Sequence, residues 1–282
     1  MNKLYVGFSK QVELPRGGYL LICDEAPVVK RARIFDPAKH SFNPLKGIDY
    51  RRARQIADLL YTVSPQGENT LTVRNGKRAL LQMLLEDRGR FDKLRAVKGL
   101  AGSDEAMEAI NDMLSSPVLR HVLCNPTNFS FNENSRILVP LNRKTLGDFD
   151  GLVLGLFLMA HHKGQLIVPD FGFYGRDAHA SLIREGRLIA GVNTLQELTP
   201  KLRQAVLLIE DKVASGTTGE DAETLASYAR LTPRTVAHND FVSSANRVRS
   251  SPKRRNPAIS DGVTHDPRLE RLPSQAPLLS SH

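Results

Sequence analysis

Polar residues that close short apolar runs are where this sequence could do chemistry. The stretch GQLIVPDFGFYGRD, residues 164–177, is a strand-like apolar run ending in Asp170 and a glycine-broken turn. A carboxylate at the carboxyl end of a buried strand can hold a magnesium-bound water beside a nucleotide. Asn193 closes the next run, RLIAGVN at 187–193, and carries the kind of amide that positions a water. Asp24, Asp36 and Asn142 close three more. The same placement also suits a purely structural residue, so both readings of Asp170 stay open.

Phosphate binding lacks a matching motif. A P-loop needs Gly, four residues, then Gly-Lys and Ser or Thr, between a strand and a helix. The Gly-Lys that precedes an apolar helix, Gly76-Lys77, has Leu71 at the first glycine position and Arg78 in place of the hydroxyl residue. Lys77 therefore reads as an ordinary first-turn helix residue. Asp24 and Glu25 make an acid pair after the run GGYLLICD, yet nothing before them can cradle phosphate. Phe171, not a glutamate, follows Asp170, so a general base would come from elsewhere.

Other chemistries fit less well. His161 and His162 are adjacent and point apart on a helix, and Asp177 and His179 lack partners at metal-ligand spacing. There is no Gly-x-Ser-x-Gly elbow. Cys124 reads as a buried structural thiol. Two cysteines are too few for a disulfide framework.

These residues must be positioned by a core, and 282 residues with 41% hydrophobic content can build one. The net charge of +9 favours nucleic acid or another polyanion as partner. The longest apolar stretch, LVLGLFLMA at 152–160, is far short of a bilayer span, and the start lacks a signal-peptide run. The expectation is a soluble, cytoplasmic protein.

Strand-like runs at 17–24, 32–37, 135–142, 164–170 and 187–193 alternate with helical patterns at 50–63, 75–87, 103–116, 145–163, 178–186 and 218–231. Residues 199–215 read as a helix or turn leading into a strand. Ser103 is the expected N-cap of its helix, and Thr145 and Asp148 have near capping-box spacing. This alternation predicts a three-layer α/β domain over 1–232, with a mainly parallel sheet and a helical insert at about 50–134. Residues 233–282, rich in Ser, Pro and Arg, read as a disordered basic tail. Its Arg247, Arg249, Lys253, Arg254 and Arg255 have the charge to contact a DNA backbone, and a solvated tail fits equally. HSFNP at 40–44 and NFSFNEN at 128–134 share Ser-Phe-Asn, too little to build on.

Taken in order, the pieces resemble the FtsK/HerA-type ATPases, the group of the conjugation coupling proteins and some viral DNA-packaging ATPases. The stretch 17–46, with Asp24, Asp36-Pro37 and the Asn-Pro-Leu at 43–45, is similar to the family's second strand region. The run 164–177 is similar to its Walker B strand, with Asp170 as the magnesium-binding acid, and LIREGRLIAGVN to its sensor strand, with Asn193 as sensor. The likeness covers roughly 17–231. It implies a RecA/FtsK-like core, ATP and Mg2+ as cofactors, DNA as partner and a homo-oligomeric ring. It also implies that this chain begins just after the family's P-loop helix, with Walker A missing and hydrolysis impaired. Arg184 or Arg187 would then serve as an arginine finger toward a neighbouring, P-loop-bearing subunit. The alternatives are a truncated or mis-started ATPase, and a non-catalytic DNA-binding or interaction protein on a degenerate ATPase scaffold.

Overall fold

The structure is a computed structural model that describes residues 2–7, 12–63, 71–86, 89–217, 219–229, 240–244 and 247–251. Apolar runs become strands where the sequence places them. They are β2 (Tyr19–Cys23), β3 (Arg33–Ile34), β4 (Arg136–Pro140), β5 (Leu166–Val168), β6 (Leu188–Val192) and β7 (Lys212–Ser215). A strand not anticipated, β1 (Lys3–Gly7), precedes them, and β8 (Asp240–Ser244) and β9 (Arg247–Ser251) follow. Among the described residues the sheet runs β3-β4-β2-β5-β6-β1-β7-β8-β9. Its first seven strands are parallel and its last two antiparallel.

Two expectations change here. The chain does not lack a first strand: β1 fills an interior place between β6 and β7, with Tyr5 level with Gly191 on one side and Val213 on the other. Within the stretch expected to be a disordered tail, Asp240–Ser244 and Arg247–Ser251 are paired as strands, Val213 opposite Val242 and Val242 opposite Arg249. The rest of that stretch, with Lys253, Arg254 and Arg255, lies outside the described residues.

The helices are α1 (Tyr50–Val63), α2 (Leu71–Glu86), α3 (Ser103–Ser115), α4 (Pro117–Cys124), α5 (Arg143–Leu146), α6 (Asp148–His161), α7 (Phe171–Tyr174), α8 (Ala180–Arg184), α9 (Pro200–Leu207) and α10 (Gly219–Ala229). Capping differs from expectation in two places. Gly102, at φ 85°, caps α3, and Ser103 Oγ instead accepts from Val97 N at 2.6 Å. The single helix expected at 145–163 is two, because Gly147 at φ 85° breaks the chain between α5 and α6. Asn142, not Thr145, caps α5.

The described helices pack on one face. The steps β4 to β5, β5 to β6 and β6 to β7 cross the sheet in the same direction, so right-handed crossovers put their helices on the same side. One large cluster holds that side, from Leu4, Leu20 and Val168 on the strands to Leu60, Leu158 and Val206 on the helices. The steps β1 to β2 and β2 to β3 go the opposite way, and helices there would cover the other face. The first connection is only residues 8–18, whereas parallel crossovers usually take about a dozen residues or more. The second face therefore carries a small cluster, Tyr5, Tyr19, Leu21, Leu138, Ile167 and Ile189, met by Val12, Val29 and Ala32 from loops and by no residue of the described helices.

The insert is tied down by the two Ser-Phe-Asn stretches. Ser41 N donates to Asn128 Oδ1 at 2.8 Å, Asn128 N to Ser41 O at 3.2 Å, and Asn128 Nδ2 to Lys39 O at 3.0 Å. Phe42 and Phe131 then meet edge to face at 5.3 Å, with the His161 ring beside both.

Candidate functional site

Parallel strands deliver their carboxyl ends to one edge of the sheet, and that edge holds a cavity of about 1120 Å³. Four of the five strand-end residues line it: Asp24 after β2, Asn142 after β4, Asp170 after β5 and Asn193 after β6. Asp36 does not; its Oδ1 accepts from Ala38 N at 3.0 Å and its Oδ2 pairs with Lys39 at 3.2 Å, a local turn.

The residue that organises the cavity is Arg143, which the sequence pattern did not mark. Asn142 ends the β4 run and turns the chain, its Oδ1 accepting from Lys144 N at 3.0 Å. That cap aims Arg143 across the strand ends. Its Nε donates to Asp24 Oδ1 at 3.2 Å and its Nη2 to Asp24 Oδ2 at 3.1 Å. The same Nη2 lies 2.9 Å from Asp170 Oδ2. The guanidinium also rests 4.4 Å over the Phe173 ring. The hydrogen bond to Asp24, with the charges of Asp170 and Asp24 behind it, raises the Arg143 pKa further against the opposing pull of burial. The one signal in the sequence was a basic pair, Arg143-Lys144, directly after an Asn that ends a strand.

Asn193 is engaged from the side. Its Nδ2 donates to Glu197 Oε1 at 3.0 Å and its N to Oε2 at 3.3 Å. Glu197 Oε2 in turn lies where a Cβ on Gly172 would stand, so a side chain there would displace the Glu197 carboxylate from Asn193. Tyr174 is fully buried, its hydroxyl has no hydrogen-bond partner, and burial pushes its pKa up strongly. Cys23 at the cavity wall is pushed up to about 12 by burial and by Asp24, which leaves it an unreactive thiol.

The arginine-finger candidates lie elsewhere. Arg184 ends α8 and is exposed, and Arg187 immediately precedes β6, at the opposite end of that strand from Asn193. The strand between them is about 16 Å long at the usual rise, beyond the reach of this chain's own Asp170. Arg187 is further held by Glu185 Oε2 at 2.7 Å and by the carbonyl of His162 at 2.8 Å. Arg247 and Arg249 stand on β9, opposite Ser244 and Val242. Among the described residues no group of three or more His, Cys, Asp or Glu could hold a metal ion. No described helix is long and apolar enough to cross a membrane.

No protein-family profile matches the sequence, and no curated protein does. Solved structures match over nearly the whole chain. VirB4 of Thermoanaerobacter pseudethanolicus superposes with a TM-score of 0.54 at 11% identity, covering 91% of this chain and 90% of that one. The plasmid coupling protein TrwB, in complex with the non-hydrolysable ATP analogue ADPNP, gives 0.56 at 15% identity, covering 89% and 84%. The chain shares the fold of VirB4 and TrwB. An unbound form of the conjugative coupling protein, TrwBΔN70, gives 0.55 at 14% identity over the same shares. Within this fold the cavity lies at the carboxyl edge of the parallel sheet, where ligands of such sheets bind.

Proposed function

We propose that the protein is an FtsK/HerA-fold subunit of DNA-transfer machinery that does not itself hydrolyse ATP. The observation that carries this reading is the Arg143 fork on Asp24 and Asp170. A carboxylate that serves a magnesium ion needs its lone pairs turned to the metal or its waters. Here a guanidinium sits on one of the Asp170 oxygens, Oδ2, and a cation beside the acid opposes a second one by simple repulsion. The connection after β1 adds to this. A P-loop of eight residues and its helix exceed the eleven residues of 8–18. Asp170, Asn142 and Asn193 thus do not fit a magnesium–nucleotide site, and no hydrolytic step is assigned to them.

What remains is a basic scaffold suited to DNA and to assembly, either in a ring of its own copies or with a P-loop-bearing partner that hydrolyses ATP. The net charge of +9 supports the first of these roles. Arg247, Arg249, Lys253, Arg254 and Arg255 are the proposed backbone contacts, and exposed Arg184 is the residue best placed to reach a neighbour.

The test is magnesium-dependent binding of a fluorescent ATP analogue to the purified full chain, beside Asp170→Asn and Arg143→Ala. The expected result is no binding at millimolar nucleotide for any of the three. Binding that Asp170→Asn weakens would overturn the reading and make the chain an ATPase whose acid is released from Arg143 on loading. DNA affinity measured against salt is expected to survive Asp170→Asn and to fall when Arg247 and Arg249 become alanine.

A further inference from the structure

The cavity is an unfilled place in the helix layer as well as a set of strand ends. Leu21 and Cys23 on its wall belong to the helix-free face, and Val12 belongs to the loop that replaces the β1–β2 crossover helix. A parallel sheet ordinarily has both faces covered by its crossovers. Here the connection that should cover this side is eleven residues long, and its described part, 12–18, carries no helix. The volume matches the omission. A helix about 10 Å wide, rising about 1.5 Å per residue, fills 1120 Å³ with about nine residues.

The lining says what kind of helix fits. Val12, Leu14, Leu21 and Pro27 offer one apolar side. Leu14 among them is exposed to solvent. The charges are Asp24, Glu25, Asp148 and Asp170 against Arg143 and Lys144. Arg143 already satisfies Asp24 and Asp170, so Glu25 and Asp148 face the opening, without an ion-pair partner among the described residues. In a chain of net charge +9 this is a locally acidic groove.

We infer that the groove docks a basic amphipathic helix of a partner protein, apolar toward Leu14 and Leu21 and cationic toward Glu25 and Asp148. The inference rests on the reading that no nucleotide takes this place. It deepens that reading by giving the non-hydrolysing subunit a means of joining its partner. Supplied in trans, the helix completes the layer that this chain's own connection leaves open.

The experiment uses the full chain and a side-chain-stapled, fluorescein-labelled helical peptide of about 14 residues, with a leucine stripe opposite a lysine stripe. A second peptide carries glutamate in place of lysine. Fluorescence anisotropy is expected to show binding of the lysine peptide, roughly fivefold to tenfold weaker for the Glu25→Gln/Asp148→Asn variant. Both acids are exposed, so the variant keeps the fold. Leu14→Asp on the exposed rim is expected to abolish binding, and the glutamate peptide to bind to none of the proteins. No binding of the lysine peptide at about 100 μM, equal binding of the two peptides, or indifference to both variants overturns the inference. Each titration is repeated with Mg-ATP. Release of the peptide by nucleotide overturns the proposed function and this inference together, whereas failure of the peptide without any nucleotide effect overturns this inference alone.

Discussion

Arg143 Nη2 lies 2.9 Å from Asp170 Oδ2, and the same guanidinium holds Asp24 through Nε and Nη2. One cation thus spans the ends of β2 and β5, two neighbouring strands whose acids would otherwise repel each other. Asp24 keeps 43% and Asp170 33% of its side-chain surface exposed, so solvent screens the pair. Removing the arginine is expected to cost about 1–2 kcal/mol, the low end for a paired charge. Urea denaturation of Arg143→Ala checks this. Adding Asp24→Asn to Arg143→Ala is expected to recover part of the loss, because the stranded carboxylate repulsion goes. Arg143→Lys is expected to fall between, since an ammonium cannot fork onto two carboxylates and stack on Phe173.

Tyr174 gives a second prediction. A Cβ on Gly155 of α6 would stand 2.5 Å from the Tyr174 ring. Gly155→Ala gains helix propensity, about 1 kcal/mol, and overpacks a fully buried ring, about 1–3 kcal/mol. Net destabilisation is expected. Tyr174→Phe removes a buried hydroxyl that has no partner, so it is expected to be neutral or stabilising by about 1 kcal/mol. A loss above about 2 kcal/mol in Tyr174→Phe would reveal a bond to that hydroxyl.

The histidines set the acid limit. Burial, then the charge of Arg52, lowers the His161 pKa to about 4, and burial, then Arg187, lowers His162 to about 4. Burial and Arg176 lower His179 to about 3. All three are neutral in the folded chain at pH 5, while an unfolded histidine titrates near 6.5. Between those values the unfolded state binds more protons, so stability is present above about pH 6.5 and falls as pH drops toward 4. Each histidine contributes at most about 1.4 kcal/mol per pH unit in that window. His161→Phe keeps a ring against Phe42 and Phe131 and is expected to flatten the fall between pH 7 and pH 5, measured as urea midpoints.

The clamp at the base of the insert is testable through Asn128. Its side chain accepts from Ser41 N and donates to Lys39 O, at 2.8 and 3.0 Å. Asn128→Ala is expected to cost about 1–2 kcal/mol. The loss should appear as faster amide exchange of Ser41 and Phe42 before it appears at β5 or β6.

Much of the architecture was legible because its signals are local. The runs YLLIC, ILVP and LIAGV are continuously apolar and short, as a strand buried on both faces requires, and α1 matches its periodicity from Tyr50 to Val63. The order of these pieces was enough to indicate the fold shared with VirB4 and TrwB. The break at Gly147 and the cap at Gly102 were missed because they depend on positive φ, which composition does not reveal. β1 was missed because five residues, KLYVG, gain strand character only from β6 and β7 on either side.

The sequence by itself determined the alternating elements, the absence of a P-loop motif, and the polar residues that close the strands. Only the tertiary structure decided what those residues meet. Parallel pairing brings Asp24, Asn142, Asp170 and Asn193 to one cavity from positions far apart in the chain, and leaves Asp36 outside it. It also puts Arg143 between two acids 146 residues apart in sequence and one strand apart in space, Asp24 and Asp170. An ion pair depends on distance through space, and chain order does not encode that distance until the strands have paired.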